Sequence, residues 1–338
     1  MGEWSPDTEL DGYEQLIFPL PGEPTYALEP ENSLVATLVR RDGPRSRSAL
    51  LYVHGWNDYF FQTHLADEIE GLGYDFYALD LRRYGRSLRP KQLAGYIADL
   101  THYFVELDLA VAQLRAEGHD RIVFMGHSTG GLVGSLYASE RPRTFAAVML
   151  NAPWLELQGN SILRPTTQSV FSAVRAVAPT TALPAVDVGH YRRSIRADQD
   201  GEWVFNHNLK GDPAFLLRIG WLAAIMEGHA KVADGLDVDC PVLVAIPERS
   251  EFRRKWDEVL KTVDTVLDVD RIAERAHGLG HLVMIARFPG ALHDLTLSAP
   301  EVRARVFEEY ARFLRCYARR PDLQPAEGPR PDDGVGGV

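Results

Sequence analysis

Cysteine is nearly absent from this chain. Cys240 and Cys316 are the only two among 338 residues, too few for a disulfide framework and in no spacing that would hold a metal. Two buried thiols are the plain expectation. Runs rich in lysine and arginine are missing as well. With a net charge of −11 and no basic stripe to follow a phosphate backbone, nucleic acid and anionic membrane surfaces are poor partners, and a neutral small molecule fits better. The opening residues, MGEWSPDTELDGYEQ, are acidic and lack an apolar stretch, so no signal peptide is expected. Long apolar runs are lacking too. The longest uncharged stretch, Ile122 to Ser139, contains His127, Ser128, Thr129 and four glycines. That composition suits a strand, a turn and a helix rather than a membrane span. The expectation is a cytoplasmic protein without an integral membrane segment; nothing in the sequence speaks to its oligomeric state.

What is present is ordinary for a globular protein: 45% hydrophobic and 25% charged residues, in a chain long enough to bury roughly three quarters of its unfolded surface. Strand patterns fall at Tyr13–Leu20, Ser33–Arg41, Ser48–His54, Tyr74–Leu81, Arg121–Gly126 and Ala146–Pro153, and strand character returns at Cys240–Ile246 and His281–Ala286. Helical patterns lie between them. The clearest runs from about Ile97 to Glu117, where Ile97, Leu100, Phe104, Leu107, Val111 and Leu114 form one stripe ended by Gly118. A last helix is expected over Glu301–Arg319. This alternation predicts an α/β fold, a mostly parallel central sheet flanked by helices.

The alternation stops between Trp154 and Asp237, where helical pieces predominate. Asp212-Pro213 has the form of an N-cap followed by proline, and predicts a helix to about Glu227. On it Phe215, Leu216, Ile219, Leu222 and Met226 mark one face, with Trp221 and Ile225 on another. The organisation read from the sequence is a core of residues 1–153 and 238–320, a helical cap of 154–237, and a Pro-, Gly- and Asp-rich tail, 321–338, expected to be disordered.

Gly126-His127-Ser128-Thr129-Gly130 carries the strongest chemical signal. The pattern G-x-S-x-G between a strand and a helix places a serine on a sharp, strained turn above a helix N-terminus. A glycine-rich turn with an incidental serine is the bland alternative, and the flanking strand and helix speak against it. A serine hydroxyl needs a base to take its proton, and in this arrangement the chain order is serine, acid, histidine. Of the eleven histidines, those before Ser128 have the wrong order. His190, His207 and His229 fall in the insertion, His277 falls on a predicted helix, and His281 begins a strand. His293 follows that strand by a short loop, where ligand-facing residues of parallel sheets lie.

Three carboxylates compete to orient the imidazole. Asp264 opens the segment DTVLDVDRIAER, Glu248 lies just after the strand Cys240–Ile246, and Asp268 shares the Asp264 segment. Asp264 ranks first, Glu248 second and Asp268 third. The loop His54-Gly55-Trp56-Asn57 should supply one N–H to an oxyanion hole, through Trp56, and Thr129 the other. His54 is expected to brace that loop, and the segment Asp80–Ser87 to form a structural turn.

HGWNDYF, DLRRYGRS, GHSTGG, NAPW and DTVLDV…GALHDL together resemble the monoacylglycerol lipase and lysophospholipase-like branch of the α/β-hydrolases, often grouped with serine aminopeptidase-like hydrolases. The resemblance runs from about Ala49 to Leu314. It implies an acid at Asp264 and a cap over the active site; a helix apolar on two faces is either buried twice or lines a cavity, so Trp154, Trp221 and Met226 are expected against an apolar acyl group. Arg83 stands where that branch usually has glycine, and residues 248–263 form an insertion ahead of the acid. The expected activity is hydrolysis of a small ester with an apolar acyl group through an acyl-enzyme, with no metal and no organic cofactor. Amidase, aminopeptidase or acyltransferase chemistry on the same residues is the alternative; a catalytically silent binding protein is the alternative outside enzymology.

Overall fold

The computed structural model describes residues 2–26, 29–41, 43–157, 177–183, 189–212 and 214–318. The expected tail, 321–338, and parts of the cap lie outside them. Among the described residues nine strands form one sheet in the order β1-β2-β3-β5-β4-β6-β7-β8-β9. They are β1 Ser5–Pro6, β2 Glu14–Pro19, β3 Val35–Arg40, β4 Ser48–Val53, β5 Asp75–Asp80, β6 Arg121–His127, β7 Ala147–Asn151, β8 Val242–Pro247 and β9 Val283–Phe288. The first three strands join antiparallel, and β3 pairs antiparallel with β5. From β5 to β9 every pairing is parallel.

Seven helices accompany the sheet among the described residues: α1 Thr63–Gly71, α2 Phe104–Ala116, α3 Thr129–Glu140, α4 His190–Ile195, α5 Ile219–Asp234, α6 Val269–Ala276 and α7 Pro300–Tyr317. Successive side chains of a strand point to opposite faces, and β4 and β6 show it. Ala49, Leu51, Ile122 and Phe124 enter the core beneath α2, α3 and α6. Leu50, Tyr52, Val123 and Met125 enter the core beneath α1 and α7. Strands buried on both faces read as continuous apolar runs for this reason. The result is the α/β-hydrolase fold, with α4 and α5 supplied by the long insertion after β7.

Two helices differ from the sequence reading. The stripe beginning at Ile97 becomes α2 only at Phe104, because Asp99 caps a 3₁₀ turn over Leu100–Tyr103 by accepting from Thr101 N–H. The cap helix starts at Ile219, behind Arg218, instead of at Pro213. Leu183 N–H donates to the carbonyl of Leu217 and Ala182 bridges Arg218, so extended pairing claims two residues inside the helix that the Asp-Pro signal predicts. Pro213 itself lies outside the described residues. His281 precedes β9 and is exposed beside Asp237.

The segment Asp80–Ser87 is a turn held by buried ion pairs. Arg82 meets Glu106 and Glu23, Arg83 meets Glu29 at 2.7 Å, and Arg86 bridges Asp80 at 2.9 Å and Asp7 at 2.6 Å. Arg83 adopts φ 65°, the left-handed region that favours glycine, and its pairing with Glu29 offsets that strain. Among the described residues no helix is long and apolar enough to cross a membrane.

Candidate active site

Ser128 sits between the last residue of β6 and the first of α3, with φ 50° and ψ −116°. A non-glycine residue held there costs on the order of 1–3 kcal/mol, which the surroundings must supply. The elbow is closed by contacts that leave no room for side chains at its glycines. A Cβ on Gly126 would stand 2.6 Å from the Gly130 carbonyl oxygen, and one on Gly130 would run into the backbone oxygens of Val53 and His54. Ser128 N–H donates to the carbonyl of Asn151 at 3.0 Å, and the carbonyl of Ser128 accepts from Trp154 N–H at 3.0 Å. The end of β7 therefore fixes both sides of the serine.

His293 lies on the loop between β9 and α7, 2% exposed. Its Nδ1 is 2.9 Å from Oδ2 of Asp264, which is fully buried. The other oxygen of Asp264 accepts from the N–H groups of Val266 and Leu267 at 2.7 and 2.8 Å. A carboxylate so placed keeps the proton on Nδ1 and leaves the Nε2 lone pair free to act as a base. The imidazole packs against His127, ring centroids 4.8 Å apart, and edge-on against Tyr191 at 5.5 Å. His127 directly precedes Ser128, so His293 stands beside the elbow.

The other two carboxylates are elsewhere. Glu248 is exposed at the end of β8, and Asp268 is the N-cap of α6, accepting from Asp270 and Arg271 N–H. Residues 253 and 256 pack on α4: Arg193 lies 4.1 Å over the Trp256 ring, and His190 Nε2 lies 3.0 Å from the Arg253 carbonyl.

Thr129 opens α3, so its N–H has no acceptor within the helix. The loop after β4 presses on the elbow from the opposite side, where a Cβ on Gly55 would meet Cβ of Ser128 at 3.1 Å. His54 braces this loop, Nδ1–H donating to the Gly55 carbonyl at 2.7 Å and Nε2 accepting from Leu81 N–H at 3.1 Å. Next to Trp56, Asn57 has φ 57°. Its side chain donates to the Gly211 carbonyl at 3.2 Å and accepts from Phe215 N–H at 3.3 Å.

Aromatic rings roof this region. Trp221 of α5 lies 5.4 Å from Trp56 and 5.8 Å from Trp154, and Phe215 meets Trp56 edge-on at 6.3 Å. Trp221 belongs to the main core cluster with Trp56 and Trp154 packed against it; Met226, half-buried further along α5, is not among the residues packed there. His229 of the same helix holds the Trp154 carbonyl through Nε2 at 2.8 Å, and burial pushes its imidazole down to about 4.

Neither Asn151 nor Asp294 stands in a catalytic motif of its own. Each adjoins a residue or motif already singled out, Asn151 in NAPW and Asp294 after His293, and that adjacency is the one signal the sequence offers for them. Burial opposes the charge of Asp294, but His127 and hydrogen bonds from Thr296 and Asn151 outweigh it and hold the carboxyl at about 2.

A family model described as serine aminopeptidase, S33 (Hydrolase_4) matches residues 44–244. A monoacylglycerol lipase of Mycolicibacterium smegmatis is 23% identical over 254 residues, covering 74% of this chain and 82% of that protein. Among solved structures, a soluble variant of monoglyceride lipase from Saccharomyces cerevisiae in complex with a substrate analog has a TM-score of 0.61 at 16% identity. It is matched over 93% of this chain and 96% of its own. A thermostable carboxyl esterase from Bacillus coagulans in complex with glycerol has a TM-score of 0.57 at 13% identity, over 92% and 100%. At these identities the two structures speak for the fold.

Proposed function

The chain belongs to the serine aminopeptidase S33 family, and from that premise we propose that it is a serine hydrolase cleaving carboxylic esters with an apolar acyl group. The reading rests on one observation: Asp264 lies 2.9 Å from His293, whose ring packs against the residue preceding the strained Ser128. Ser128 Oγ attacks the ester carbonyl carbon while its proton passes to His293 Nε2. The N–H groups of Trp56 and Thr129 receive the oxyanion. Collapse expels the alcohol, which takes the proton from the imidazolium. Water then attacks the acyl-enzyme by the same route, releasing the acid and restoring the serine. Asp264 holds the imidazole tautomer and stabilises the cation throughout.

The acyl group is assigned to the ring cluster of Trp56, Trp154 and Trp221, because aromatic faces give apolar area at low conformational cost. Similarity to a monoacylglycerol lipase favours a lipid-like ester. The family description names an aminopeptidase, so amide and acyl-transfer substrates belong in the same panel.

Labelling with a fluorophosphonate probe, read by intact mass, together with hydrolysis of short-chain p-nitrophenyl esters, tests the reading. Wild-type protein should take one adduct at Ser128, and Ser128→Ala should lose the adduct and at least about a thousandfold in turnover. Equal hydrolysis by the two proteins would overturn it.

A further inference from the structure

Asp294 takes part in none of the steps above, yet it is fully buried one residue beyond His293. Its Oδ1 accepts from Asn151 Nδ2 at 2.7 Å, from Thr296 N–H at 3.0 Å and from the Thr296 hydroxyl at 2.7 Å. Its Oδ2 accepts from Gln62 Nε2 at 3.2 Å. Asn151 is engaged on every side. Besides donating to Asp294, its Oδ1 accepts from Leu295 N–H at 3.1 Å. Its backbone carbonyl accepts from Ser128 N–H at 3.0 Å and from His127 Nδ1–H at 3.1 Å. One residue at the end of β7 thus grips the serine elbow with its main chain and the histidine loop with its side chain.

We propose that Asn151 and Asp294 are positioning residues for the Ser128–His293 pair: Asn151 sets the distance between the two loops, and the buried Asp294 carboxylate favours the imidazolium that His293 becomes. The inference rests on the serine-hydrolase reading and adds to it a second carboxylate with a different task. Asp264 touches His293 and fixes its tautomer; Asp294 acts through the field and through the loop.

The groups around His293 leave that field in place. Asp264 approaches from the segment after β8, His127 from β6 and Tyr191 from α4, while Asp294 shares the loop with His293 and its charge bears on both His127 and Tyr191. Burial pushes His127 below the usual imidazole value, and burial also raises the Tyr191 hydroxyl well above the usual phenol range. Both are therefore neutral at neutral pH. Asp58 and Lys210, the remaining charges near His127, are paired with each other. A fixed anion in such a site costs no reorganisation when the cation forms.

The experiment compares the full-length wild type with Asp294→Asn, Asn151→Ala and the exchange Asn151→Asp with Asp294→Asn. Three measurements are made on each: kcat/KM for p-nitrophenyl butyrate against pH, fluorophosphonate labelling rate, and thermal unfolding. Loss of the anion makes the imidazolium less stable, so in Asp294→Asn the acid limb of kcat/KM should move to lower pH, by roughly half a unit. Asn151→Ala should lower kcat and the labelling rate about tenfold or more with KM nearly unchanged, because a misplaced base slows chemistry without altering binding. The exchange returns one amide and one carboxylate to the same contact, so its acid limb should move back toward the wild-type position.

A purely structural role would shift the unfolding temperature and leave the limb where it is; that result in Asp294→Asn overturns the proposal. Should Asp294→Asn not fold, the exchange and Asn151→Ala carry the test. An Asn151→Ala protein with unchanged kcat and labelling rate, or a folded exchange whose acid limb lies away from the wild-type position, would refute the positioning role. Absence of any adduct at Ser128 in the wild type would defeat the serine-hydrolase reading instead, and the two failures are distinct.

Discussion

Asp58 and Lys210 form an ion pair in which both side chains are almost wholly buried, the carboxylate from the loop after β4 and the ammonium from the insertion between α4 and α5. Lys210 also lies 5.2 Å over the ring of Phe61. Two charges removed from water roughly repay their desolvation when paired, but one left alone does not. Lys210→Met should destabilise the protein by about 3–5 kcal/mol, whereas Lys210→Met combined with Asp58→Asn should cost much less. Urea unfolding of the three proteins checks this, and equal losses in the single and double variants would contradict it.

The three candidate carboxylates make separable predictions. Asp264→Asn removes the acceptor that keeps the proton on His293 Nδ1, and turnover should fall on the order of a thousandfold or more. Glu248→Gln should leave ester hydrolysis unchanged. Asp268→Asn should also hydrolyse normally, because asparagine caps a helix about as well as aspartate. Steady-state rates on one ester are sufficient, and a large loss at Glu248 with none at Asp264 would reverse the assignment.

His229 ties stability to pH. Its imidazole is held down at about 4 by burial, against roughly 6.5 when unfolded, so the unfolded chain binds the proton more readily. Its contribution is present above about pH 6.5 and is lost as pH falls toward 4. Between pH 7.5 and pH 5 the loss should be about 2 kcal/mol. His229→Gln keeps a donor for the Trp154 carbonyl and carries no titrating group, so its unfolding free energy should fall less over that interval. An identical pH dependence in the two proteins would exclude His229 as the cause.

Trp221 stands between Trp56 and Trp154. Trp221→Leu should open space there and raise kcat/KM for longer acyl groups relative to butyrate, by about tenfold, the scale set by one or two methylenes in an apolar pocket. Profiles across acyl lengths would show the change, and an unchanged profile would place the acyl group elsewhere.

The elbow was legible because its signal is local: five residues at fixed spacing between a strand and a helix. His293 was legible from chain order and its place after the last strand, whereas Asp264 ranks first on its segment and on the family resemblance, since a place directly after a sheet strand points to Glu248. The start of α5 was not legible, because the Asp212-Pro213 pattern is a local preference, and the pairing of Leu183 with Leu217 overrides it from outside the segment. Asn151 and Asp294 are 143 residues apart, and Asp58 and Lys210 are 152 apart. Such contacts arise only when the sheet assembles, and no pattern in either partner alone announces them.

Asn57 ties the loop after β4, the one proposed to receive the oxyanion, to the inserted segment. Both hydrogen bonds of its amide reach into the inserted segment, at Gly211 and Phe215, and they support a left-handed backbone directly after Trp56. On the proposed reading, the inserted segment therefore supports the backbone that would receive the oxyanion: a change that removes the Asn57 amide would leave the Trp56 N–H less firmly held, although it lies outside the serine elbow itself.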